Sequence, residues 1–332
     1  MIISSSGNIS IRRGGSAAPQ VLSMELERYE GNPVLSPTDN WWENKAVFNC
    51  AAARSNGKVH VLYRAIGADG VSRLGYACSH NGLDVAQRST VPVYESVGDE
   101  LERLGVEDPR ITHIEDTFYI AYTGASLYPC GESRPSFFSP VPWRCRVGLL
   151  STKDFKTYRK HGCILPNMDN KDVILFPEKI KGKYVMLHRT FPNIWIAYSE
   201  DMTTWHDHKL LVRVQPGAWD CNRIGAGAPP IKTEYGWLNF YHGVDHRRVY
   251  RLGVLLLDLD DPSKVIGRSV EPILSPEMDY EKVGLVPNVV FTCGAVEIGG
   301  RYHVYYGGAD KVIGVATMDR SDLRKIKLEK PQ

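Results

Sequence analysis

The sequence predicts an all-β protein, a five-bladed β-propeller with a central active-site channel, on three observations. From Leu26 onward the chain runs in short stretches rich in Val, Ile, Tyr, Phe and Trp, bounded by Gly, Asn, Asp and Pro, with almost no stretch of helical period. A strand, a Gly-containing turn and a second strand ending in Tyr or His plus a polar residue recur five times. Further strand pairs lie between these hairpins, so each unit holds about four strands, the size of one propeller blade. A pair of β-sandwiches is the other all-β reading, but two sandwiches leave five similar units unexplained.

In chain order, residues 1–22 are polar and rich in Gly and Ser and read as a tail without chemistry. Residues 23–325 form one propeller domain. Its hairpins are Val47 to Arg64, Glu107 to Gly124, Leu175 to Arg189, Ala228 to Gly243 and Asn288 to Gly308. Their matching positions Tyr63, Tyr122, His188, Tyr241 and Tyr306 are separated by 59, 66, 53 and 65 residues. The long segment Leu127 to Trp143, rich in Pro, Ser and Phe, interrupts the second unit and reads as a lid or a contact between subunits of a homo-oligomer. Its Phe137 and Phe138 suit either role, because aromatic faces pack equally on a pyranose or in an interface.

A net charge of +2 gives no reason to expect nucleic acid or an anionic membrane as partner. No apolar run reaches the length of a membrane span, and the start of the chain lacks the pattern of a secretory signal, so a cytoplasmic setting is the default expectation. Seven cysteines without Cys-x-x-Cys spacing exclude a disulfide framework and a structural zinc site, and Cys50, Cys78 and Cys293 read as small buried hydrophobes. The His and Asp residues show no metal-ligand spacing, so no metal is expected.

The residues that bear chemistry gather at the hairpin ends. In Gly105-Val-Glu-Asp-Pro-Arg-Ile111 two carboxylates and a guanidinium stand just before a strand, and Asp108 reads as the working centre. An Asp before Pro is first of all a turn residue, and what raises this one is its company in the other repeats. Asn49, Arg64, Arg110, Lys179, Arg189, His242, Asp245 and Asp310 occupy comparable ends. Taken singly, each reads as a solvated loop charge or a structural hydrogen-bonding partner; recurrence lifts the set. Few carboxylates and many cations suit phosphorolysis, in which phosphate is itself the nucleophile and the protein supplies one acid and a cradle of positive charge. Glycosidases that use water need a second carboxylate. A propeller that binds glycan without chemistry is the reading from another class.

The motifs Val47-Phe-Asn49, Arg64 with Ser72-Arg-Leu-Gly-Tyr76, Glu107-Asp-Pro-Arg110, Leu175-Phe-Pro-Glu-Lys179 with Met186-Leu-His-Arg189, Tyr241-His-Gly-Val244, and Val286-Pro-Asn-Val289 with Tyr305-Tyr-Gly-Gly-Ala-Asp310 resemble glycoside hydrolase family 130. The resemblance runs from about Asn32 to Thr317. It implies a five-bladed propeller and reversible, inverting phosphorolysis of β-1,2- or β-1,4-linked manno-oligosaccharides, giving α-mannose 1-phosphate. It further implies Asp108 as the single acid, acting through a hydroxyl of the bound mannose. Lys179, Arg189, His242 and Tyr250 match the family's phosphate positions, and Asn49, Arg64, Arg73 and Asp310 match those around the mannose. Inorganic phosphate is then a cosubstrate, with no other cofactor. Family members that hydrolyse lack these basic positions, which favours phosphorylase over hydrolase here.

Overall fold

A computed structural model describes residues 24–128 and 143–330. Residues 1–22, given to a tail by the sequence, and all but the ends of the segment Leu127 to Trp143 lie outside the described residues. The described chain opens on a short strand, β1 (Glu27–Arg28), and then forms antiparallel groups in succession. The first contains β2 (Ala46–Ser55), β3 (Lys58–Ile66), β4 (Ser72–Ser79) and β5 (Val85–Arg88). The second contains β6 (Gly105–Ile114), β7 (Thr117–Ser126), β8 (Arg144–Thr152) and β9 (Arg159–Cys163), and the third β10 (Lys171–Leu175), β11 (Tyr184–Thr190), β12 (Asn193–Ser199) and β13 (His206–Val212). In the fourth, β14 (Arg223–Ala226) and β15 (Ile231–Thr233) both pair with β16 (Gly236–Val244), followed by β17 (Tyr250–Leu257) and β18 (Val265–Ser269). The fifth is β19 (Val290–Ile298), β20 (Arg301–Gly308) and β21 (Val312–Asp319), and β1 supplies its outer strand. A last strand, β22 (Leu328–Glu329), adds to β18. The α-helix of the described residues, Asp279–Lys282, is one turn long, and no described helix is long and apolar enough to cross a membrane.

Strand alternation puts apolar side chains on both faces of each group, and five apolar clusters fill the spaces between neighbours. Ala51, Leu62 and Leu74 meet Val106, Ile120 and Leu150 between groups one and two. Leu149 and Val147 meet Leu175 and Met186 between two and three, and Leu187 and Ile196 meet Trp237 and Leu255 between three and four. Phe240 and Leu252 meet Val290 and Val304 between four and five. The last cluster joins Val47 and Val61 of group one to Ile313 and Val315 of group five. The packing is therefore cyclic.

A buried polar triad marks four of the five repeats. The hydroxyl of the repeat tyrosine donates to a buried carboxylate: Tyr63 to Glu43 at 2.8 Å, Tyr122 to Glu102 at 2.5 Å, Tyr241 to Asp220 at 2.7 Å and Tyr306 to Glu281 at 2.8 Å. A cation from the outer strand closes each triad: Arg88, Lys160, Arg268 and Arg28 respectively. Across the next strand each ring lies over a glycine, namely Gly75, Gly148, Gly253 or Gly314. A methyl group at Gly148 would come within 2.2 Å of the Tyr122 ring, so the glycine is required by close approach. The third repeat departs from the rule, with His188 at the tyrosine position facing Trp195.

Candidate active site

The inner strands share a device. In β2, β6 and β10 the ladder with the next strand slips by a bulge, and a polar residue inside the bulge takes the left-handed conformation: Asn49 at φ 47°, Asp108 at φ 51° and Asp172 at φ 57°. Asn and Asp tolerate this region better than other side chains that carry a Cβ, which accounts for their choice here. The bulge turns each side chain out of the ladder toward one shared cavity. Asp310, at φ 53°, reaches the same space from the turn between β20 and β21.

The result is a cavity of about 320 Å³ lined by Asn49, Arg64, Glu107, Asp108, Trp143, Lys171, Asp172, Arg189, Tyr250 and Asp310, with Phe48, Ile66, Leu285, Val286 and Phe291 as its apolar parts. Asp108 is 3% exposed. Its Oδ1 accepts a hydrogen bond from Asn49 at 2.9 Å and lies 3.4 Å from Arg64, while its Oδ2 lies 3.8 Å from Lys171. Burial pushes its carboxyl up, but Arg64, Lys171 and Arg110 outweigh burial and hold it below the usual carboxylate range. Glu107 is tied to Arg64 at 2.7 Å and to Lys171 at 3.2 Å.

Asp172 forms the second centre. Arg110 reaches its Oδ1 at 2.9 Å and Arg189 its Oδ2 at 2.8 Å, with His242 3.6 Å away. Burial raises the Asp172 carboxyl, yet the two guanidinium groups carry it well below the ordinary range. Burial drives His242 down to about 3, so its imidazole is neutral behind the Asp172–Arg189 pair rather than on the cavity wall. On the same side the Arg223 guanidinium donates to the Tyr250 hydroxyl. For Asp310 the balance runs the other way: burial, reinforced by the Asp108 and Glu107 charges and opposed by Arg64 and Lys171, pushes it up to about 7.

Most of the residues expected at the site are brought together: Asn49, Arg64, Asp108, Arg189, Tyr250 and Asp310 line the cavity, and His242 stands behind it. Two expectations are corrected. Lys179 lies in the turn of the β10–β11 hairpin, exposed, with its ammonium 4.4 Å from the Tyr184 ring centre. Lys171 is aligned with Arg189 at the other end of that hairpin, so the lysine of the cavity is Lys171. Arg73 is aligned with Ala65, one residue out of step with Arg64, and so takes the other face of the sheet. There it is held by Asp69 at 2.7 Å and Glu95 at 3.0 Å, over the Trp41 ring. The cavity is also richer in carboxylates than the hairpin ends suggested. Glu107 is paired with Arg64 and Lys171, and Asp172 with Arg110 and Arg189. The described cysteines are free thiols, and Cys50, Cys78 and Cys293 are buried as expected.

A buried acid beside a bank of cations, within one cavity, can supply both a proton and a cradle for an anion. The sequence profile described as β-1,4-mannooligosaccharide phosphorylase matches residues 25–327, and the chain belongs to glycoside hydrolase family 130. It is 45% identical over 309 residues to a 1,2-β-oligomannan phosphorylase of Thermoanaerobacter sp. (strain X514), covering 91% of this chain and 99% of that one. The solved structure of a β-1,2-mannobiose phosphorylase from Listeria innocua, in complex with β-1,2-mannobiose, superposes with a TM-score of 0.80 at 31% identity over 91% of this chain and 99% of the other. Equally similar in fold, at TM-score 0.80 and 28% identity over 95% and 98% of the two chains, is a structure reported with glycoside hydrolases of the family that target β-1,2-mannosidic linkages in Candida mannan.

Proposed function

We propose that the protein is a β-mannoside phosphorylase that splits β-1,2-linked manno-oligosaccharides with inorganic phosphate, reversibly and with inversion, on a single five-bladed propeller of residues 23–325. The five clusters closing a cycle, one between each pair of neighbouring groups, support the propeller reading. The observation that carries the reaction is the cross-strand pair Lys171 and Arg189, which with the Tyr250 hydroxyl forms a cationic wall on one side of Asp108. Similarity to a 1,2-β-oligomannan phosphorylase at 45% identity supports the β-1,2 linkage.

In this reading phosphate rests on Lys171, Arg189 and Tyr250, with His242 fixing Arg189 from behind. Mannose is held by Asn49, Arg64 and Asp310. A phosphate oxygen attacks the anomeric carbon as the bond to the glycosidic oxygen breaks. The leaving oxygen takes a proton that originates on Asp108 and passes through a mannose hydroxyl, and the proton of the phosphate restores Asp108. The products are α-mannose 1-phosphate and a shortened acceptor, which carries the proton. The cations around Asp108 favour its ionised form; a phosphate dianion among them offsets their charge and so favours protonation of Asp108 when the nucleophile is in place.

The test is synthesis from α-mannose 1-phosphate and β-1,2-mannobiose, followed by phosphate release and linkage analysis of the product. Phosphate release with a β-1,2-linked product is expected. Phosphate-independent release of mannose from β-mannosides would assign the protein to the hydrolases of the family, and binding without turnover would make it a glycan-binding propeller.

A further inference from the structure

The third repeat is the one that lacks the carboxylate–tyrosine–cation triad, and it is also the repeat that supplies Lys171, Asp172 and Arg189. At the tyrosine position stands His188, 1% exposed. Its Nδ1 is 2.9 Å from the Asn170 side-chain nitrogen and its Nε2 is 2.9 Å from Nδ1 of His208, whose Nε2 is 3.3 Å from the Trp205 carbonyl. One proton placement satisfies every contact: Asn170 donates to His188, His188 donates from Nε2 to His208, and His208 donates from Nε2 to Trp205. Both imidazoles are then neutral. A further proton on either ring would set two N–H groups against each other. Burial and the neighbouring His208 push His188 down to about 3, in keeping with a neutral ring.

The ends of this chain of hydrogen bonds fall on particular backbone positions. Asn170 immediately precedes Lys171, and His188 immediately precedes Arg189, the two residues aligned across β10 and β11. The ladder between these strands is broken just beyond that pair, where Asp172 bulges, and resumes only at Ile174 and Leu187. Backbone pairing with β11 thus holds the start of β10 weakly, although the Asn170 N–H also donates to the Cys145 carbonyl of β8 at 3.2 Å, and the Asn170–His188 link ties β10 to β11 from the opposite face.

We propose that Asn170, His188 and His208 act as positioning residues for the anion side of the cavity, clamping the start of β10 to β11 so that Lys171 and Arg189 keep the spacing that a tetrahedral oxyanion requires. The inference rests on the phosphate assignment made above. A neutral network sets the two strands without placing another buried carboxylate where it would compete with phosphate for these cations, as the acid of the other four triads would.

The test uses the full-length enzyme and initial rates of β-1,2-mannobiose phosphorolysis with phosphate and disaccharide varied separately, on His208→Leu, His208→Asn and Arg189→Ala. His208 is only half-buried, and thermal melts of its variants check that they fold. The leucine variant should raise the phosphate KM about tenfold and the disaccharide KM by no more than about twofold. The asparagine variant, whose oxygen can accept the His188 proton, should return the phosphate KM to within about threefold of the parent. Leucine and asparagine variants that behave alike, or a loss confined to kcat or to thermal stability, would overturn the proposal. An Arg189→Ala enzyme with unchanged phosphate KM would instead overturn the phosphate assignment itself, so the two failures are separable.

Discussion

Replacing Asp172 by Asn is the most informative single change, because it removes a charge and almost nothing else. Asn accepts the left-handed backbone that the bulge imposes, so the substitution adds little strain at φ 57°. What it removes is the counter-ion of two guanidinium groups, Arg110 at 2.9 Å and Arg189 at 2.8 Å, both buried. Stripping one partner from a buried ion pair costs about 3–5 kcal/mol. Arg189 borders the cavity and can recover water or phosphate, whereas Arg110 cannot, so the lower end applies, about 3 kcal/mol. For a chain of this size, with unfolding entropy near 2 cal/mol/K per residue, that corresponds to a fall in Tm of about 5 °C. Phosphate should restore part of the loss, since an anion beside Arg189 substitutes for the missing carboxylate. Thermal melts of both proteins in chloride and in phosphate buffer measure each effect. A fall below about 1 °C, or a deficit as large in phosphate as in chloride, would refute the reasoning.

Four further outcomes are expected. Asp108→Asn should lower kcat for phosphorolysis by about 100-fold or more while leaving Tm within about 2 °C, and Asp108→Ala should melt lower than Asp108→Asn because Ala is strained at φ 51°. Lys171→Ala should raise the phosphate KM about tenfold or more and Lys179→Ala should leave it unchanged, which steady-state kinetics on the pair decides. Gly148→Ala should lower Tm, because the new methyl meets the Tyr122 ring at 2.2 Å and must displace its hydroxyl from Glu102. Asp310, whose folded pKa is raised from 3.8 to about 7, binds its proton more tightly in the folded protein, so its contribution opposes folding increasingly as pH rises from about 4 to 7. Asp310→Asn, again in a left-handed position that Asn tolerates, should therefore gain in Tm relative to the parent as pH rises through that window.

The repeat was legible in the sequence because it is written in strand periodicity and in one side chain, Tyr63 and its counterparts, which the structure shows to be the centres of the buried triads. His188 fell in register with them despite its different chemistry, because its strand and its position across from β12 are the same. Asp108 was legible from its local company of Glu, Pro and Arg. Lys171 and Asp172 were not, since the apolar strand pattern of the third hairpin begins only at Leu175 and the polar run Asp169-Asn-Lys-Asp172 looks like a turn. The signal that would have found Asp172 is an Asn or Asp within the inner strand of each of the first three repeats, where a bulge demands positive φ. The motif around Lys179 resembles the family's, yet Lys179 sits in the hairpin turn, eight residues beyond Lys171 and at the opposite end from Arg189. The face of Arg73 depends on a one-residue offset in pairing with β3, which no local pattern specifies.

The pairing of β1 with β21 joins Glu27 and Arg28 to Thr317 and Ala316, across nearly the whole length of the chain. An emerging polypeptide can build its early groups as it leaves the ribosome, but β1 has no strand partner until β21 has been made. Asp310, Leu285 and Val286 also arrive late, and the cavity has no complete wall before them. Contacts of such long range form slowly and last. Catalytic competence is thus withheld until the fifth group has been made, and a chain terminated before it, however well its first repeats fold, carries Asp108 without a complete site around it.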